Sequence, residues 1–403
     1  MDMRNKKILI ISAVFPPEPV VSSQLSLDIA TELSKNKAVV VLSPKPTRPY
    51  NYTFEHKDTK HPFEHIITNS YTCPKSSIFG RLRESYSFGK KCVEYIRKNY
   101  SDIDCIYQNS WPLFAQFMIV KAAKRYRISI ITHVQDIYPE SFTNKLSIGG
   151  GVVNSVLLPI DKFILENSTK VLCISENMRN QLQKSRKISS EKFEVLANWQ
   201  DEENFIKYQK NNDTIKQVGK TLFTFMYLGN NGPVAGVDFL IRVFHKAQIP
   251  NSQLIIAGSG SKTESCKELV RKLGVENVIF APVPDGKVPE MQAQSDVMLL
   301  PVKSEGAMSS IPSKLPAYMF SAKPIIGSLD LESDTARAIR YANCGIVVEP
   351  ENEDLLAKAM KDISSWDKKE INEKGLNGFN YAIENFSREN NLKRLIEIIT
   401  NVK

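Results

Sequence analysis

Short β-branched runs alternate with helix-length amphipathic segments along most of the chain. In the first half, strands are predicted at Lys7–Val14, Ala38–Leu42, near Ile103–Tyr107 and Ile128–Thr132, and at Val171–Ile174 and Phe193–Leu196, because such runs fit a pleated, buried sheet. Helices are predicted at Ser22–Ser34, near Leu82–Lys98 and around Leu113–Tyr126, the second preceded by a long Pro-rich, aromatic and basic loop from Ser43 to Phe79. Ser175 stands where its hydroxyl would cap the next helix. Residues 201–220 are polar, with Asn211-Asn212-Asp213 and few apolar anchors, and read as a linker. The alternation resumes at Leu222–Leu228, Gln253–Ala257, Val278–Phe280, Val297–Leu300, Pro324–Ile326 and Gly345–Val348. Strand–helix alternation demands parallel sheets with helices on both faces. Two such runs predict an α/β chain of two Rossmann-like domains, 1–200 and 201–385. Ligands of open α/β sheets sit at the carboxyl ends of the strands, so a cleft between facing strand ends is the expected site.

A length of 403 residues agrees with two domains. Apolar residues at 42% and charged residues at 24% are ordinary for a globular chain and exclude disorder or collagen. No run approaches the roughly 20 apolar residues of a membrane span. The apolar stretch Ile8–Val14 passes into Phe15-Pro16-Pro17-Glu18 and reads as a first strand, not a signal peptide. Six scattered cysteines with no C-x-x-C pair argue against a zinc site or disulfide framework and for a reducing cytoplasm. The charge is uneven. Residues 1–200 hold 28 Lys+Arg against 18 Asp+Glu, a net +10, whereas residues 201–403 hold 25 against 26. The basic half is expected to face a polyanion or an anionic bilayer.

Some chemistry is excluded by what is missing. No G-x-G-x-x-G follows the first strand, which disfavours a dinucleotide oxidoreductase. The stretch Ala257-Gly258-Ser259-Gly260-Ser261-Lys262-Thr263 imitates a P-loop, but Ser261 and Ile256 occupy positions where that motif needs glycine. Two strand-end turns remain. Gly229-Asn230-Asn231-Gly232-Pro233 follows Leu228, and its glycines let backbone approach a ligand while Pro233 suits a first helical position. A long loop after Leu300 leads to Pro312-Ser313-Lys314-Leu315 and another helix. Both turns offer N–H groups and the positive end of a helix dipole to a phosphate, and Lys314 adds a full charge. In the first half, His133-Val134-Gln135-Asp136 leaves a strand directly into polar groups able to position an acceptor hydroxyl. Gly-rich turns and helix caps are also common in α/β proteins of every function.

These residues, in this order, resemble the retaining nucleotide-sugar glycosyltransferases of family 4, with the GT-B fold. Within that family the chain is similar to the L-N-acetylfucosamine transferases of capsule and O-antigen assembly. The resemblance covers nearly the whole length. It rests on Phe15-Pro16-Pro17-Glu18, His133-Val134-Gln135-Asp136, Asn198-Trp199, Tyr227-Leu228-Gly229-Asn230, Ala257-Gly258-Ser259-Gly260, Pro312-Ser313-Lys314-Leu315 and Ala317-Tyr318-Met319-Phe320-Ser321-Ala322-Lys323-Pro324. The wider family carries two glutamates eight residues apart around the last loop; their positions are Ser309 and Ala317 here, so neither is kept. The family's basic pair after the Gly-rich turn is also absent, Asn230, Asn231 and Ala235 standing in that region. Glu305 lies four residues out of register and is a candidate sugar contact.

The resemblance implies that the second domain holds a UDP-sugar through Gly229, Asn230, Gly232, Gly258, Gly260, Pro282, Val283, Glu305, Ser313 and Lys314. Lys314, with His133 and Asp136, is expected to carry catalysis, Lys314 stabilising the departing diphosphate without a metal or other cofactor. Removing one such donor costs roughly 3–4 kcal/mol of barrier. Retention in this family resembles front-face substitution, the leaving phosphate itself taking the acceptor proton. The acceptor is expected at Glu18, Ser22, Gln135, Arg81 and Arg83. The segment Gly80–Tyr100, with Arg81, Arg83, Lys90, Lys91, Arg97, Lys98, Tyr86, Phe88 and Tyr95, follows a loop containing Tyr50, Tyr52, Phe54 and Phe63. Such a surface suits an anionic bilayer, each basic residue adding ~1 kcal/mol. A polyprenyl-diphosphate-linked acceptor and a peripheral place on the cytoplasmic face of the membrane follow as expectations. No nucleic-acid-binding motif is present. The helix over 386–403 is expected to pack back on the first domain, as in related GT-B enzymes. The rivals are a UDP-sugar 2-epimerase of the same fold and a non-catalytic nucleotide-sugar-binding component of a polysaccharide assembly complex.

Overall fold

The structure, a computed structural model, describes residues 6–48, 52, 54, 60–75, 77–109, 112–143, 149–212, 222–233, 235–304, 308 and 311–402. They form two compact units: residues up to Asn198 together with those from Asn391 onward, and Trp199–Asn390. Each has its own apolar core, the first built around Leu9, Val40, Ile106, Ile119 and Val171, the second around Phe225, Leu254, Leu299, Leu240 and Met360.

In the first unit, β1 (Lys7–Ile11), β2 (Ala38–Pro44), β3 (Glu64–Thr68), β4 (Ile103–Asn109), β5 (Ser129–Val134), β6 (Lys170–Cys173) and β7 (Phe193–Val195) form one parallel sheet in the order β3-β2-β1-β4-β5-β6-β7. The runs Ile8–Ile11 and Val39–Leu42 are buried without alternation, as central parallel strands covered on both faces must be. The crossovers are α1 (Val21–Ser34), α2 (Ile78–Asn99), α3 (Leu113–Tyr126), α4 (Glu140–Thr143), α5 (Gly150–Asn167) and α6 (Glu176–Arg186). Ser175 does cap α6, its hydroxyl accepting the Met178 N–H.

The second unit repeats the plan. α7 (Glu203–Asn212) precedes β8 (Phe223–Leu228), β9 (Ser252–Ala257), β10 (Val278–Ala281), β11 (Val297–Pro301), β12 (Ile325–Ser328) and β13 (Gly345–Val348), a parallel sheet ordered β10-β9-β8-β11-β12-β13. Its remaining helices are α8 (Val237–Ala247), α9 (Thr263–Leu273), α10 (Val288–Gln292), α11 (Lys314–Phe320), α12 (Asp334–Tyr341), α13 (Glu353–Ser364) and α14 (Lys368–Phe386). α15 (Arg388–Asn401) follows, and from Asn391 onward it belongs to the first unit, burying Leu392, Leu395 and Ile399. In both sheets the strand order reverses beside the central strand, between β1 and β4 and between β8 and β11. Those are the switch points where α/β sheets take ligands.

The structure corrects the sequence reading in four places. β3 lies within the stretch read as one long loop. α2 begins at Ile78, four residues before the predicted start, its cap being Ser77. The stretch read as a linker contains α7, anchored by buried Phe205, while 213–221 lie outside the described residues. Finally, Pro233 is not a first helical residue; it sits in a turn, and α8 starts only after Gly236.

Candidate active site

The chemistry of the second unit gathers where β8 ends. Lys314 opens α11 and lays its side chain across the Gly229 turn. A Cβ built on Gly229 would lie 2.2 Å from Lys314 Cε, so only glycine admits the lysine there. Lys314 Nζ donates to the Tyr227 hydroxyl at 2.8 Å and stands 4.7 Å from the centroid of that ring. The Tyr227 O–H donates in turn to the Asn230 carbonyl at 2.8 Å. One turn along α11, Tyr318 clamps the end of β8, donating to the Leu228 carbonyl at 2.9 Å and accepting its N–H at 3.0 Å. Lys314 and Tyr318 share a helix face because they are four residues apart. Among the described residues no carboxylate pairs with Lys314, and burial holds its ammonium below the usual lysine range.

Part of the backbone at these turns is already committed. Gly229 and Asn231 donate their N–H groups to the Ala257 and Ser259 carbonyls at 3.0 and 2.9 Å. At the start of α11, Leu315 N–H donates to the Pro312 carbonyl and Pro316 has no N–H at all. Ser313 is exposed and its hydroxyl caps nothing. Among the described side chains at this turn, the full positive charge is the Lys314 ammonium.

Beside the lysine, a cavity of about 780 Å³ opens at the ends of β8, β9 and β10, lined by Gly229, Asn230, Gly258, Gly260, Pro282 and Val283 among others. Gly258 and Gly260 serve the turn before they serve any ligand. A Cβ on either would strike the Gly229 or Asn231 carbonyl oxygen at 2.2 and 2.3 Å, so these glycines stack one turn on the next and shape the cavity wall. Gly232 is open, with no such neighbour closer than 3.5 Å. Glu305 and Ser309 lie outside the described residues.

In the first unit, His133 is 1% exposed. Its Nδ1 is 2.7 Å from the Tyr107 hydroxyl, and burial pushes the imidazole down to about 4, so it is neutral at pH 7. Nε2 has no partner among the described residues. Tyr107 leads on to Asn109, which reaches Ser12 and Ser26 at 3.2 and 3.0 Å across the β1–β4 switch point. Gln135 accepts from Asn198 Nδ2 at 2.7 Å, and Asp136 is exposed. The loop bearing both is fixed by Arg186, whose side chain is wholly buried. Its guanidinium donates to Glu140 through both terminal nitrogens, to Asp161 at 2.8 Å and to the Tyr138 carbonyl at 2.9 Å. Burial pushes Asp161 up to about 6 against the pull of Arg186.

Glu18 is buried and accepts the N–H groups of Thr47 and Arg48 at 2.7 and 2.9 Å. Burial, opposed by those bonds and reinforced by Glu84, raises its carboxyl to about 7. The Ser22 carbonyl accepts from the Ser26 hydroxyl at 2.9 Å. Arg81 donates to buried Glu84 at 2.8 Å, and Arg48 does so at 2.9 Å. Arg83 stacks on the Tyr71 ring at 4.3 Å. The sequence reading quoted Tyr227 and Tyr318 within motifs without giving either a role, and passed over Tyr107, Asn109, Arg186 and Glu84. Only Tyr318 carried a positional signal, its spacing from Lys314. Tyr50 lies outside the described residues. Among the described residues no three His, Cys, Asp or Glu side chains group as a metal site, and no helix is long and apolar enough to cross a membrane.

Residues 223–365 match the family described as glycosyl transferases group 1, and residues 24–204 match glycosyltransferase family 4. No curated protein sequence matches the chain. Among solved structures, HepE of Anabaena in complex with UDP and glucose is 15% identical, with 98% of this chain and 100% of that chain covered at a TM-score of 0.67. The sucrose-phosphate synthase of Thermosynechococcus elongatus is 14% identical over 98% of each chain at 0.70. WaaG, a glycosyltransferase involved in lipopolysaccharide biosynthesis, is 17% identical over 98% of this chain and 100% of that one at 0.63. With the two family matches falling one on each unit, and each unit a parallel Rossmann-like sheet, the chain belongs to the family 4 glycosyltransferases: it is a nucleotide-sugar transferase of the GT-B fold.

Proposed function

We propose that this enzyme takes an N-acetylated deoxy-hexosamine, L-N-acetylfucosamine in the sharpest form, from a UDP-sugar with retention at the anomeric carbon. The sugar passes to a polyprenyl-diphosphate-linked glycan in capsular polysaccharide or O-antigen assembly, at the cytoplasmic face of the membrane. Residues 201–385 bind the donor and residues 1–200 the acceptor. The observation that carries this reading is a half-buried ammonium, Lys314, with no carboxylate beside it among the described residues, next to a cavity at three strand ends. A partly desolvated cation without a counter-charge is costly, and a departing diphosphate is the anion that relieves the cost. UDP, bound in the HepE structures, supports the choice of nucleotide.

Departure of the diphosphate leaves positive charge on the anomeric carbon and new negative charge on the bridging oxygen. Lys314 stabilises the latter, and an oxygen of the leaving phosphate takes the acceptor's proton. His133, neutral and with no partner at Nε2 among the described residues, orients a hydroxyl and does not act as a base. Asp136 and Gln135 complete that polar edge. Lys314→Ala is expected to cut turnover more than about a hundredfold, the order of one lost charge-stabilising donor, with the thermal midpoint preserved. Nucleotide release is the readout, from a panel of UDP-sugars with a lipid-diphosphate monosaccharide as acceptor. Unchanged turnover would remove Lys314 from the mechanism. Sugar rearrangement without acceptor would instead favour the epimerase.

A further inference from the structure

The phenol under Lys314 has an arrangement that packing alone does not require. Tyr227 is buried within the core of the second unit, yet its hydroxyl reaches the end of β8 and makes two polar contacts of opposite sense. Its one proton is committed to the Asn230 carbonyl at 2.8 Å, which leaves a lone pair to accept from Lys314 Nζ at 2.8 Å. The ring face adds a cation–π attraction at 4.7 Å. Gly229 removes the one side chain that would obstruct this path. An ammonium has three N–H donors; Tyr227 takes one, and the other two have no partner among the described residues.

We propose that Tyr227 is the positioning residue for Lys314: its hydroxyl, oriented by the Asn230 carbonyl, tethers the ammonium over the Gly229 turn so that its two free donors meet the donor's diphosphate. The tether is a neutral acceptor. A carboxylate in its place would compete with the phosphate, whereas a phenol whose proton is already spent holds the cation without cancelling its charge. The order of bonds matters too. Because the carbonyl polarises the hydroxyl, the lone pair facing Lys314 is strengthened. This inference rests on the reading of Lys314 as the leaving-group cation, and the test separates the two.

The whole protein and its Tyr227→Phe variant are acetylated competitively with acetic anhydride across a pH series, with and without inorganic pyrophosphate, and modification of Lys314 is read by peptide mass spectrometry. The variant keeps ring and volume, and its thermal midpoint is the folding control. Without the tether the amine is both freer and more readily neutral, so its acetylation rate at a given pH should rise about tenfold, the order of one hydrogen bond to a charged group. A rate within twofold of the parent overturns the tether, since a purely packing role for the ring leaves Lys314 reactivity unchanged. Pyrophosphate should protect Lys314 in the parent and need a severalfold higher concentration in the variant. Absence of protection in the parent refutes the leaving-group reading, while the ratio of acetylation rates still decides the tether. Equal protection in both proteins rejects the alignment of the free donors by Tyr227.

Discussion

Glu18 is a carboxylate whose surroundings can be turned into a sign. Burial raises its pKa to about 7 from an ordinary value of 4.5, although Thr47 and Arg48 donate to it. Between those values the native state holds a proton that the unfolded chain has released, so this group's contribution to stability falls as pH rises through the window. Glu18→Gln keeps an oxygen to accept both N–H bonds but carries no charge. At pH 8 the variant should be more stable than the parent, and at pH 5 the gap should shrink. Urea midpoints at the two values check it; a parent that gains on the variant between pH 5 and 8 contradicts the raised carboxyl. At this scale the sequence pointed to Lys314 as a candidate, since a lysine in the first turn of a helix at a strand's carboxyl end is a readable pattern. Tyr227 stood there only as part of a strand-end motif, and its tie to Lys314 was hidden until the fold brought residues 227 and 314 together. Arg186 was hidden for the same reason: its partners Glu140 and Asp161 lie 46 and 25 residues away.

α2 shows what an element can reveal that its residues cannot. Its first two turns bury Gly80, Glu84 and Ser85 and expose Ile78, Phe79, Leu82 and Tyr86, with Phe79 85% and Tyr86 61% accessible. Lys90, Arg97 and Lys98 continue the exposed face. The basic residues first expected to contact a membrane are divided by the fold, because Arg81 is spent on Glu84 and Lys91 on Glu94. The apolar ridge then matters more than the charge. Burying a Phe-sized side chain is worth roughly 1.5–3 kcal/mol, against ~1 kcal/mol per basic residue near an anionic surface. Phe79→Ala with Tyr86→Ala should abolish flotation with anionic vesicles in low and high salt alike, while Lys90→Gln weakens it only in low salt. Undiminished flotation of the double variant would rule out the ridge as the membrane contact. Elements with strong periodicity were legible; their edges were not. Pro233 signalled a helix start because proline suits a first turn, but Gly236, with φ of 66°, delays α8 to Val237.

For the whole molecule, alternation announced two parallel sheets, and both share one order, with the third, second and first strands preceding the fourth and fifth. The polar composition of 201–212 concealed α7 because its anchors are few: buried Phe205 packs on Phe320, and half-buried Gln209 donates to the Phe320 carbonyl at 2.8 Å. The sugar stayed illegible because the positions where the wider family keeps its glutamates hold Ser309 and Ala317, and fold alone does not choose a sugar. Separate cores in a chain that leaves the first unit near Asn198 and returns at Asn391 raise a question of cooperativity. α15 brings Arg394, Glu397 and Ile398 beside Lys170 of β6 and Glu194 of β7, and Leu395 on the same helix is fully buried. Leu395→Ala leaves a cavity costing about 2–5 kcal/mol, and if each core unfolds by itself that cost falls on the first unit. The slowest amides of β4, β5 and β6 should then exchange about 30-fold faster or more, the lower end of that range, while those of β8, β9 and β11 keep their rates. Equal acceleration in both sheets would mean that the two units unfold as one.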